Sequence, residues 1–218
     1  MNSIHHIFVV LLFLCCTQTL NAQEEEWKTK VTKDGSVSVK YRVYNQVEQG
    51  GDKSQVIEYE AVTTTKASLA DCISIMKIEA CHKEIMEGTE EARRIKDLPG
   101  GGWVTYYVYK PPWPMPAADI VTMYKLEEDP GQKRAILTGT PAPDMYPAQD
   151  VARMEHNHTK YTFTELDEGE VEIVMYSRSI PLISAPKWLI KTWFPDGPAD
   201  MVRGIARFAE GEEKSWLL

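Results

Sequence analysis

Few residues of this chain are placed to do chemistry. Glu155-His156-Asn157-His158 lies in a segment of alternating polarity. On a strand, His156 and His158 share a face, which could supply two metal ligands or an acid–base pair. Further ligands would have to come from elsewhere, and His82 is the one histidine left beyond the first residues of the chain. Alternating polar residues at the start of a strand account for the same pattern, so no metal is expected. Cys72 and Cys81 are nine residues apart. On one helix they would stand roughly 13.5 Å apart along its axis, too far for a disulfide unless the helix breaks. Arg153 is the most informative charge. Turned inward, it needs a carboxylate or a ligand head group to satisfy it; turned outward, it is simply solvated. Val151 and Met154 fall on opposite faces, so parity leaves both readings open. No HExxH, Gly-rich phosphate loop, CxxC pair or Gly-x-Ser-x-Gly elbow occurs.

The composition narrows the partners. The chain has 24 basic against 32 acidic residues and a net charge of −8. An acidic chain with no basic run is a poor partner for phosphate backbones, so nucleic acid is not expected. From Ile7 to Cys16 the sequence reads IFVVLLFLCC, too short for the roughly 20 residues of a spanning helix. It fits the apolar core of a secretory signal peptide over residues 1–22, with cleavage after Ala22. An uncleaved anchor, a buried N-terminal strand or a lipoprotein are the alternatives. The signal reading predicts an exported protein, periplasmic or extracellular, with one domain over residues 27–210 and a polar tail over 211–218.

Elements must hold these residues in place. Val37, Val39, Tyr41 and Val43 alternate with Ser38, Lys40 and Arg42, a half-buried strand that follows Trp27–Lys33 across the hairpin pair Asp34-Gly35. A third strand spans Gln55–Thr65. Ser68 can cap a helix carrying Leu69, Cys72, Ile73, Met76 and Ala80, extending to about Met86. Strands then resume at Arg93–Leu98, Trp103–Tyr109, Ile120–Glu127, Lys133–Thr140, Ala152–Glu165 and Glu170–Ile180, bounded by turn residues. About nine strands with helices inserted once and at the end make an α+β pattern.

The last segment is the most regular. Ile190, Phe194, Met201, Ile205 and Phe208 form one stripe at helical spacing, in register across Pro195, Gly197 and Pro198. This predicts one long C-terminal helix, entered at Pro186 and kinked near Pro195; a helix–loop–helix is the alternative.

Several strings carry a family resemblance. WVTYYVYKPPWPMPAADIV resembles the strand–loop–strand of the START (steroidogenic acute regulatory protein-related lipid transfer) domains, within the Bet v 1-like superfamily. ARMEHNHTKYTFTEL resembles the arginine-led strand after that family's Ω-loop, and IPLISAPKWLIKTWFPDGPADMVRGI its closing helix. The resemblance spans about Trp27 to Glu210. It implies a helix-grip fold, a curved antiparallel sheet around the C-terminal helix, with a lipid or sterol held between them. There are two departures. Ala118 stands before Asp119 where the family often has arginine. Some sterol-transfer members pair the buried arginine with a carboxylate from the preceding strand, and KRAILTGT (Lys133–Thr140) contains none.

The resulting expectation is a carrier or sensor of a lipophilic small molecule, without cofactor, monomeric, and in transient contact with membranes. Its cavity-lining residues would be Tyr106, Val108, Tyr124, Leu137, Arg153, Ile173, Met175, Ile190, Met201 and Ile205. Access would come from movement of the loop Pro141–Gln149 against the terminal helix. The rival readings are a cyclase- or hydrolase-like enzyme using His156, His158 or a cavity tyrosine, and an interaction module with a filled core.

Overall fold

The computed structural model describes residues 26–47 and 50–211. The predicted signal segment and the tail beyond Gly211 lie outside the described residues. Nine strands, β1 (Lys28–Val31), β2 (Ser38–Val47), β3 (Lys53–Thr65), β4 (Thr89–Asp97), β5 (Trp103–Tyr109), β6 (Ala118–Asp129), β7 (Arg134–Pro141), β8 (Asn157–Glu165) and β9 (Val171–Ser179), form one sheet. Its order is β1-β2-β3-β9-β8-β7-β6-β5-β4. Every pairing is antiparallel. The α+β helix-grip architecture of nine strands around a bent terminal helix is therefore the one expected.

Two short helices, α1 (Leu69–Met76) and α2 (Glu79–Ile85), follow β3. Ser68 caps the first, its hydroxyl accepting from the Asp71 amide at 3.1 Å. The sequence predicts one helix here; the chain instead breaks at Lys77-Ile78, where Ile78 is extended. The carbonyls exposed by the break are taken by side chains, Met76 O by His82 at 3.1 Å and Lys77 O by Arg94 at 2.6 Å. Despite the break, Cys72 and Cys81 remain unpaired and buried.

The terminal helical path covers 24 residues and bends by 35°. Its arms are α3 (Lys187–Trp193) and α4 (Asp196–Glu210); Pro186 sits just before the first turn rather than in it. At the bend Phe194 leaves helical geometry, the Phe194–Pro195 bond is cis, and the freed Phe194 carbonyl accepts from Lys30 Nζ at 3.0 Å. Gly197 makes room there for the indole of Trp193, which a Cβ would run into. The stripe stays in phase: Phe194 stacks on Tyr41 at 4.0 Å, while Val202, Ile205 and Phe208 enter the core against β3, α1 and α2.

The sheet is covered on both faces at one end. Inside, Trp103, Tyr107, Ile120 and Tyr124 belong to the main core. Outside, Val104, Tyr106 and Val121 form a second small core with Val108, Ala142 and Tyr146. The Pro141–Gln149 loop lies over that outer face, with the Tyr146 ring 4.7 Å from the ring of Tyr106.

Candidate functional site

Between the concave face of the sheet and the two arms of the terminal helix lies an apolar pocket of about 200 Å³. Alternation in the strands builds its walls. Tyr107 and Tyr109 come from β5, Ile120, Thr122 and Tyr124 from β6, Asn157, Thr159 and Tyr161 from β8, and Met175, Ser177 and Ser179 from β9. Ile190, Trp193 and Met201 close it from the helix, and Pro111, Pro112, Met115, Pro181 and Leu182 border it from two loops. Among the described residues, no Asp, Glu, Lys, Arg or His lines it.

Its polar side chains are hydroxyls and the Asn157 amide. Tyr107, Tyr124 and Tyr161 are buried, and burial pushes their phenols up, Tyr124 to about 12 and the other two well above the ordinary value. Behind them stands His82, 3% exposed, whose Nδ1 is 2.8 Å from the Tyr107 hydroxyl. The Tyr107 and Tyr124 hydroxyls are 2.9 Å apart. Burial pushes the His82 imidazole below its usual range, so it is neutral near pH 7. On the helix side the Tyr59 hydroxyl donates to Met201 Sδ at 3.7 Å.

Of the expected lining residues, Tyr124, Met175, Ile190 and Met201 meet here. Leu137, Ile173 and Ile205 are fully buried in the main core, away from the pocket. Tyr106 and Val108 point the other way, into the outer core. The error is physical: β5 is apolar on both faces because the Pro141–Gln149 loop buries the outer one, so alternation cannot say which row is inside. Tyr107, Tyr109 and the β8 row Asn157-Thr159-Tyr161 went unrecognised. Extending the parity argument to β8 would have found the last.

Arg153 also lies outside the pocket. The strand expected from Ala152 begins only at Asn157, and Arg153 forms an isolated bridge with Asp119. Its guanidinium donates to both carboxylate oxygens of Asp119, and to the carbonyls of Pro143 at 2.7 Å, Tyr146 at 2.6 Å and Pro147 at 3.0 Å. It is satisfied by protein, and it ties down the loop expected to act as the gate. None of residues 141–149 borders the pocket. His156 and His158 are exposed, the first just before β8 and the second on the face of β8 opposite Thr159. Among the described residues no group of three or more His, Cys, Asp or Glu is arranged to hold a metal, and no helix is long and apolar enough to cross a membrane.

No family model matches the chain. An uncharacterized protein of Pseudomonas aeruginosa is 23% identical over 192 residues, covering 87% of this chain and 90% of that one. Among solved structures, a STAR-related lipid transfer protein from Xanthomonas axonopodis superposes with a TM-score of 0.68 at 17% identity, over 85% of this chain and 99% of that one. Human StAR-related lipid transfer protein 5 gives 0.67 at 14% identity, over 84% and 86%. The sheet, the inserted helix pair and the bent terminal helix are thus those of a START domain, and this chain has the START helix-grip fold.

Proposed function

We propose that this chain is an exported carrier or sensor that holds a lipophilic small molecule in the pocket between sheet and terminal helix. The observation that carries this reading is the lining: aromatic, methionine, proline and aliphatic side chains with hydroxyls and one amide, and no formal charge. Such a wall rewards the burial of apolar ligand surface at roughly 25 cal/mol per Å² and offers nothing to neutralise an ion. The pocket is small beside the roughly 300–1,000 Å³ usual for ligand sites, so a longer tail would leave between Pro112 and Leu182. Trp113, Ile183 and Trp188, in the segments that border the pocket, are 82%, 46% and 53% exposed. These side chains suit contact with a membrane surface during loading or release. Lipid-transfer proteins share the fold, and the Ile7–Cys16 run supports export.

The pocket tyrosines favour binding over catalysis, because phenols held protonated by burial are poor proton acceptors near neutral pH. Native mass spectrometry of freshly purified protein tests the proposal. The expected result is a lipophilic mass released on denaturation, or taken up when lipid is supplied. A bare protein that takes up none would overturn it.

A further inference from the structure

The pocket's hydrogen bonds have a fixed direction, and that direction selects the ligand's polar group. Met76 O can only accept, so neutral His82 must carry its proton on Nε2 and donate there, 3.1 Å away. Nδ1 is then an acceptor, and the Tyr107 hydroxyl must donate to it at 2.8 Å. With its proton committed, Tyr107 can only accept from Tyr124 at 2.9 Å. Tyr124 therefore offers its surroundings a lone pair and no proton. Glu79 and Arg94, the charged groups that act on His82, are paired with each other at 2.8 Å.

A second observation falls at the same place. Tyr124, Gly139 and Thr159 are direct cross-strand neighbours on β6, β7 and β8. Thr159 Oγ1 faces the Tyr124 phenol, yet it is buried and closes no hydrogen bond of proper geometry with that or any other group. A buried hydroxyl left unpaired is destabilising. Gly139 makes room for this pair, since a Cβ there would collide with Thr159 Oγ1 and lie 2.9 Å from Tyr124 Cε1. Thr159 is part-exposed and lines the pocket together with Tyr124.

We infer that Tyr124 and Thr159 form a recognition site for an uncharged hydroxyl group, and that the ligand is an alcohol-bearing amphiphile. Its O–H donates to the Tyr124 oxygen while its oxygen accepts from Thr159. A carboxylate or phosphate meets a lone pair at Tyr124 and no cation anywhere in the lining. A ketone or ester can accept from Thr159 but leaves Tyr124 unmatched. The inference rests on the pocket being a lipid site.

The test is a ligand-observed NMR titration of the full chain with octan-1-ol, octane, octan-2-one and octanoate at pH 8, where the acid is ionised. Octan-1-ol is expected to bind roughly five- to tenfold tighter than octane, the net gain when a hydroxyl exchanges its water partners for these two protein partners. Octan-2-one should fall short of the alcohol, and octanoate should bind weakest. Thr159→Val, which keeps the side-chain shape, and Tyr124→Phe should each erase most of the alcohol's advantage and leave octane unchanged. Equal binding of octane and octan-1-ol, or tighter binding of octanoate, would overturn the inference while leaving the lipophilic pocket intact. Failure of all four to bind would overturn both.

Discussion

Arg153 and Asp119 are joined by two parallel hydrogen bonds, Nε to Oδ1 at 2.9 Å and Nη2 to Oδ2 at 2.6 Å, where the outer loop meets the start of β6. Asp119 is wholly buried and the arginine side chain 14% exposed. The carboxylate that satisfies this arginine thus comes from the strand's own opening Asp119, rather than from the Lys133–Thr140 segment.

Arg153→Leu is therefore expected to act on stability. It strands a buried carboxylate without a counter-ion, and breaking such a pair costs about 3–5 kcal/mol. Urea denaturation should register the loss. Adding Asp119→Asn should recover part of it, because the stranded charge is then gone. Lipid uptake per folded molecule should not change, which reverses the sequence-based expectation for Arg153.

Ile190→Trp should have the complementary phenotype. Ile190 is part-exposed on the pocket side of α3, so a larger ring fills the ligand's space without invading the packed core. Thermal melts should stay within a few degrees of wild type while lipid uptake in native mass spectrometry is lost. Retained uptake would move the site elsewhere.

Trp113→Ser combined with Trp188→Ser should lower co-sedimentation with phosphatidylcholine vesicles several-fold. Both indoles are largely solvent-exposed, so folding should be unaffected. Unchanged co-sedimentation would remove this rim as the membrane contact.

His82 gives the fold a pH dependence of definite sign. Burial holds its folded pKa below the ordinary 6.5. Above pH 6.5 both folded and unfolded chains are neutral at this site, and its contribution is complete. Below that pH the unfolded chain takes up a proton that the folded one refuses. Stability should then fall by up to about 1.4 kcal/mol per pH unit until the folded pKa is reached. His82→Gln keeps a donor and an acceptor but does not titrate. Its melting temperature should decline less steeply than wild type between pH 7 and pH 5.

Cys72 and Cys81 should be silent toward Ellman's reagent at pH 8 in the folded protein and should both react after denaturation. Burial pushes their thiols up to about 12 and about 11, leaving almost no thiolate. Fast labelling of the native chain would show that α1 and α2 open readily.

The parts of this fold legible in sequence are those where one face is wet. The row Val37-Val39-Tyr41 that leads into β2 and the stripe Ile190–Phe208 alternate against polar residues, and the structure packs both into the main core. The β5 tyrosines were not legible, because Tyr106 and Tyr107 are both buried on opposite faces. Arg153 failed for a different reason. Its partners are Asp119, thirty-four residues away, and three loop carbonyls, a set that no local period encodes. The break at Lys77-Ile78 was equally hidden, since His82 and Arg94 cap it from outside the first helix.

The sheet runs from β1 to β4 without closing on itself, which leaves two rows of backbone groups that another chain could pair with. Both borders discourage it. β4 carries Glu90, Glu91, Arg93, Arg94, Lys96 and Asp97, with register shifts on either side of its middle. β1 is only Lys28–Val31, with two lysines. Short, charged and irregular borders resist strand addition, so the residues that end this unclosed sheet also protect it against fibril-like self-association.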